Sequence, residues 1–198
     1  MIEIPTDLPA ELVPLSWLIG AWEGTGVLDY RAGEERTQCE FGQRVTFTAE
    51  QGPVLAYTSS AWVADDSTTP LPSEVGYWRL DRPLTAGDPG PGLLLPTEPA
   101  PYTTADAVET LRGSHGGFDI SAVIAHPDGV VEQYCGQVVG PRISLATDAV
   151  MRSPGTRDYS AATRVYGLVE GHLLWAWDIA ALGYDLRTHA SARLAKVS

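Results

Sequence analysis

Turn residues punctuate this chain so regularly that no long helix fits between them. Gln51-Gly-Pro, Asp65-Asp-Ser, Pro127-Asp-Gly129, Gly140-Pro, Ser153-Pro-Gly155 and Glu170-Gly171 each interrupt the backbone. Between them lie extended segments at 19–30, 39–48, 54–64, 75–80, 118–126, 130–138, 142–146, 161–168, 173–179 and 185–195. Short strands at a spacing of roughly 8–12 residues, with turns of this kind, predict an all-β sandwich or an up-and-down barrel. The pairs 118–126 with 130–138 and 161–168 with 173–179 read as hairpins. A closed barrel hides every sheet edge and leaves a lumen wide enough for one ligand. The expected fold is therefore all-β, a single antiparallel up-and-down barrel of about ten strands spanning 1–198. A short N-terminal helical turn near 14–18, limited by Pro14, covers one end. Residues 1–10 read as a tail.

One stretch breaks the pattern. Residues 81–117 contain Arg82-Pro-Leu-Thr-Ala-Gly-Asp-Pro-Gly-Pro-Gly92, then Pro96, Pro99 and Pro101. That density of proline and glycine predicts an insertion on the barrel with little regular structure. Residues 105–112 return as a strand or one short helix.

Composition narrows the partners. A net charge of −12 and a pI near 4.6 repel nucleic acid and anionic membrane surfaces alike. Cys39 and Cys135 are far apart, with no metal-type spacing, so a reduced, cytoplasmic setting is expected. The N-terminal residues show no secretory leader, and no apolar run approaches the roughly 20 residues of a membrane span.

Gly20, Trp22, Gly24 and Gly26 occupy alternate positions, so in a strand they share one face. Glycines placed this way let a neighbouring strand approach closely, which favours a shaping role over ligand binding. Trp62, Trp78, Trp175 and Trp177 are expected to fill the core or line a cavity. The Asp65-Asp66 and Glu34-Glu35 pairs read as solvated loop charges. Of the four histidines, His115 and His172 are expected to be solvated. His189 lies among small and aliphatic residues in the closing segment, and a neutral imidazole there is a competent iron ligand. Strand alternation leaves its direction open. His189 shares a parity with Arg187 and Arg193, while Leu186, Ala190 and Leu194 take the other face.

Four motifs in order give the chain a resemblance to a known family. Gly20-Ala-Trp-Glu-Gly-Thr-Gly26 matches the G-x-W-x-G-x-G signature of the nitrobindins, haem-binding β-barrels of the calycin or fatty-acid-binding-protein type. Glu74-Val-Gly-Tyr-Trp-Arg79, Ala125-His-Pro-Asp-Gly129 with Val131-Glu132, and His189-Ala-Ser-Ala-Arg-Leu194 resemble three further family segments. The resemblance covers the chain except for about 83–117. It implies haem b as cofactor, His189 as the proximal iron ligand, and His126 and Arg157 beside the haem, with Arg157 pairing a propionate. It also implies binding of nitric oxide and isomerisation of peroxynitrite to nitrate. The chain departs from the family pattern at Tyr30-Arg-Ala-Gly33, where proline-threonine is usual, at Gln43-Arg44, where two glutamates stand, and at Ala190, usually leucine. A plain carrier of a fatty acid or other apolar molecule is the competing function. Pairing of two copies through an exposed strand face is a further expectation.

Overall fold

The computed structural model describes residues 8–65 and 69–197. Most of the expected N-terminal tail, together with Asp66, therefore lies outside the described residues. Among them, ten antiparallel strands close into one barrel in the order β1-β10-β9-β8-β7-β6-β5-β4-β3-β2. The strands are β1 Gly20–Ala32, β2 Glu35–Ala49, β3 Leu55–Val63, β4 Pro70–Leu80 and β5 Phe118–Ala125. They continue with β6 Val130–Val139, β7 Arg142–Arg152, β8 Tyr159–Val169, β9 His172–Ala181 and β10 Arg187–Lys196. Every strand pairs with its neighbours in sequence, and β1 closes on β10.

Two expectations change in detail. β7 runs six residues beyond Ala146, because Thr147 to Arg152 stay paired with β6 past a bulge at Gln133/Tyr134. The N-terminal turn is a longer 3₁₀ helix, Ala10–Leu18, with Pro14 inside it. Burial holds it in place: Leu12, Leu15 and Leu18 are fully buried and join the core, and the Trp22 indole donates to the Leu18 carbonyl at 2.7 Å.

The stretch 81–117 holds one short helix, α1 Ala105–Glu109, capped by the Thr104 hydroxyl. Val108 of α1 is buried in the core cluster. At its start, Arg82 donates from Nε and Nη2 to the Glu11 carboxylate at 2.7 and 2.9 Å. Nη1 and Nη2 also reach both oxygens of Asp88 at 2.7 Å. Buried bidentate contacts of this kind fix geometry as well as contributing energy. They clamp the N-terminal helix and the stretch 81–88 together.

Inward residues of all ten strands form the core, with Trp22, Phe47, Leu55, Trp78, Ile120, Ile124, Ile143 and Leu194 at 2% exposure or less. Trp62 is the exception among the tryptophans expected inside. It sits at an outward position, and its ring covers the outer side of Gly42, where a Cβ would come within 2.4 Å. Both cysteines are free, Cys39 half-buried and Cys135 exposed. No helix among the described residues is long and apolar enough to cross a membrane.

Candidate functional site

The barrel encloses a cavity of about 340 Å³ between β1–β4, the β5–β6 and β7–β8 turns, and β8–β10. Most of its wall is apolar or aromatic, including Leu28, Phe41, Leu71, Trp175, Trp177 and Ile179. No residue of 81–117 lines it.

A bulge decides the direction of His189. Thr188 pairs with Asp178 and Ala190 with Trp177, so His189 is the extra residue in β10. A bulge re-aims a side chain against the ordinary alternation. Both His189 and Ala190 therefore line the cavity, although simple parity sets them on opposite faces. Trp177 meets the His189 ring edge-on at 5.4 Å and 85°, and Tyr30 lies at 5.4 Å on a tilt. Among the described residues, Nδ1 of His189 is buried without a hydrogen-bond partner. Burial, and then the nearby Arg164 charge, push the imidazole down to about 4. It is thus neutral at neutral pH, the form that binds iron.

Next to this wall lies a buried charge cluster. Register aligns Arg164 of β8 with Trp177 of β9 and Ala190 of β10. Arg164 donates from Nη2 and Nη1 to the two Glu74 oxygens at 2.7 and 3.0 Å, and from Nη2 to Glu132 at 3.2 Å. Glu74 also accepts from the Tyr57 hydroxyl at 2.6 Å. Glu132 accepts from the hydroxyls of Tyr134, at 2.6 Å, and Tyr159. Burial alone pushes the Glu74 carboxyl up, but Arg164 outweighs it and holds the group down to about 2. Two carboxylates against one guanidinium leave one negative charge.

In its protonated form, His126 balances that charge. Its Nε2 lies 2.8 Å from Glu132 and its Nδ1 3.8 Å from Glu74. Burial pushes the imidazole down, but the Glu132 bond and the charges of Glu74 and Glu132 prevail and raise it. Trp177 is held between Arg164 and His126. The Arg164 guanidinium lies 4.2 Å from its ring centre, and the His126 ring stacks on it at 5.9 Å and 10°. The cation–π contact with Arg164 and the stacked His126 ring fix the indole that abuts His189.

The expected site residues are thus distributed over one cavity. His189, His126 and Arg157 all line it. Arg157 is exposed, and among the described residues its guanidinium has no ion partner. Gly20, Trp22, Gly24 and Gly26 do not line it. A Cβ on Gly24 would lie 2.3 Å from the Arg193 carbonyl oxygen, and one on Gly26 2.4 Å from that of Ser191. Gly24 and Gly26 occupy the seam where β1 meets β10. His115 and His172 are half-buried rather than solvated. His115 lies 3.9 Å from Asp119, and Nδ1 of His172 contacts the Glu170 carbonyl at 3.0 Å.

Residues 11–196 match the model of the THAP4-like, heme-binding β-barrel domain. The chain belongs to this family. Membership bears out the resemblance to the haem-binding nitrobindin barrels and supports haem as the cofactor. Two curated relatives are named peroxynitrite isomerase. The one from Leifsonia xyli subsp. xyli is 66% identical over 99% of both chains. The one from Clavibacter michiganensis subsp. michiganensis is 60% identical over the full length of both. The crystal structure of Rv2717c from M. tuberculosis superposes with a TM-score of 0.70 at 26% identity, covering 97% of this chain and all of that one. It is a barrel of the same kind.

Arg164 was not singled out from the sequence, and Glu74 and Glu132 entered only as motif positions. Glu74, Glu132 and Arg164 stand at inward positions between apolar residues, where an isolated charge is too costly to bury. Three such positions of mixed sign imply one another as partners.

Proposed function

We propose that this barrel is a peroxynitrite isomerase that holds haem b through His189 and converts peroxynitrite to nitrate. The observation that carries the reading is His189 itself. A neutral imidazole is turned into an apolar cavity by a bulge, with no acid partner to protonate it. The residues fit the group: an imidazole is a common proximal haem ligand, and the aromatic wall suits a porphyrin face. Relatives named for this activity, alike over their whole length, support the same reading.

When bound, haem supplies an electrophilic iron, and the chemistry of the rearrangement belongs to it. The chain's contribution is binding and exclusion. His189 is the one protein ligand in this reading, and Trp177 and Tyr30 pack on its ring and hold its angle. Arg157, exposed and without an ion partner at the cavity rim, is placed to pair with a propionate. His126 forms part of the wall, its nitrogens engaged by Glu132 and Glu74. The apolar lining keeps water and reductants from the reacting anion. Nitric oxide, a small uncharged ligand, suits the same apolar cavity. In this proposal residues 1–198 act as one barrel unit with 81–117 covering the end away from the cavity. The protein works in a reducing cytoplasm, free of nucleic acid and membrane, and pairs with a second copy through an outer strand face.

The fatty-acid carrier is not favoured. A carboxylate buried in the lumen would need an interior cation; Arg164 is already bound to two glutamates, and Arg157 lies exposed at the rim. The test is protection of free tyrosine from nitration by peroxynitrite. Haem-loaded wild type is expected to suppress nitration and raise the nitrate yield, and His189→Ala to lose both effects. Nitration proceeding equally fast with and without the loaded wild type overturns the enzymatic reading. Tight long-chain fatty-acid binding to the haem-free protein, equal in His189→Ala, would then establish the carrier.

A further inference from the structure

A second polar feature of the cavity takes no part in holding haem. Gln43 of β2, Ser59 of β3 and Trp175 of β9 all line it. Gln43 and Ser59 are each 5% exposed and Trp175 8%. The Trp175 indole donates to Gln43 Oε1 at 2.8 Å, and Gln43 Nε2 donates to Ser59 Oγ at 2.9 Å.

The direction of this chain is forced. An indole N–H can only donate, so the Gln43 carbonyl must face Trp175. The Gln43 amide nitrogen is then turned to Ser59, and the serine oxygen must accept. Its own proton is left over. Among the described residues that hydroxyl donates no hydrogen bond, even though Glu74 is its direct partner across the β3–β4 ladder. Glu74 is already committed to Arg164 and Tyr57. Leaving a buried hydroxyl proton unpaired is costly unless a ligand or water takes it.

We propose that Ser59 is the hydrogen-bond donor of the cavity, held in that role by the Trp175–Gln43 relay, and that it recognises a small anion through an acceptor oxygen or halide. This deepens the isomerase reading and rests on it. A donor fixed in advance, on a wall that is otherwise apolar, stabilises negative charge on a bound ligand without having to reorient. The relay also gives a physical use to Gln43, where the family pattern has glutamate. A glutamate carboxylate cannot donate to Ser59, so the serine proton would turn back to it and the donor into the cavity would be lost.

The test uses the hemin-loaded protein and fluoride, a small anion whose affinity responds to hydrogen-bond donors, followed by absorption. Ser59→Ala is expected to weaken fluoride binding about tenfold, in the range of one lost hydrogen bond to a charged group. Hemin affinity should stay unchanged, and Ser59→Thr, which keeps the hydroxyl, should restore fluoride binding. Gln43→Glu should weaken fluoride binding in the same direction as Ser59→Ala. Fluoride affinity in Ser59→Ala equal to wild type, with hemin uptake intact, overturns the role of Ser59 and leaves the isomerase reading standing. Failure of the wild type itself to take up hemin overturns both.

Discussion

Arg164→Ala is expected to lower the unfolding free energy by about 3–5 kcal/mol, because it removes the guanidinium between two buried carboxylates and leaves only His126 facing Glu74 and Glu132. In a domain of this size each kcal/mol shifts the melting temperature by about 2–4 °C, so thermal unfolding should move down by roughly 10 °C. Arg164→Met combined with Glu74→Gln and Glu132→Gln should recover part of the loss, since no buried carboxylate is then left without its cation. A melting temperature within 2 °C of wild type for Arg164→Ala would show that water reaches the cluster. The pH dependence follows from the same groups. Glu74 is lowered from 4.5 to about 2, so its stabilisation is present above 4.5 and lost as pH falls toward 2. His126 is raised from 6.5, so its contribution is full below 6.5 and lost as pH rises through the folded value. His189 acts oppositely. Lowered from 6.5 to about 4, it penalises the folded state progressively as pH falls through that window.

Gly24→Val should cost on the order of 1–3 kcal/mol, the range for forcing extra volume into packed structure. Its added carbon would lie 2.3 Å from the Arg193 oxygen and 3.0 Å from the Leu194 Cα. Both are backbone atoms of β10 and cannot rotate away, so the β1–β10 ladder has to open where the barrel closes. The expected melting temperature is roughly 5–10 °C below wild type, with hemin uptake per folded molecule unchanged. Full stability with blocked hemin uptake would instead make the glycine run a ligand contact.

These two substitutions mark how far the sequence alone reaches. The barrel was legible because turn dipeptides and period-two segments are local signals, and each strand needs only its sequence neighbour. Gly20 to Gly26 were readable as one face for the same reason. The direction of His189 was not. It depends on a one-residue bulge against β9, and a single inserted residue inverts the parity on which an alternation argument rests. The Arg164 cluster was hidden for a different reason. Glu74 and Arg164 lie ninety positions apart, and only barrel closure brings them within 2.7 Å. The same holds for Trp175 and Gln43, separated by 132 positions. The N-terminal helix ran past Pro14 because three buried leucines outweigh one missing backbone donor.

The central claim is that His189 is the iron ligand, and the absorption spectrum of the purified protein during hemin titration tests it most directly. Wild type should develop the Soret band of histidine-ligated ferric haem and saturate at one haem per chain. His189→Ala, with an unchanged circular dichroism spectrum, should lose that band. The same Soret band at the same stoichiometry in His189→Ala would contradict the assignment and remove His189 from the site.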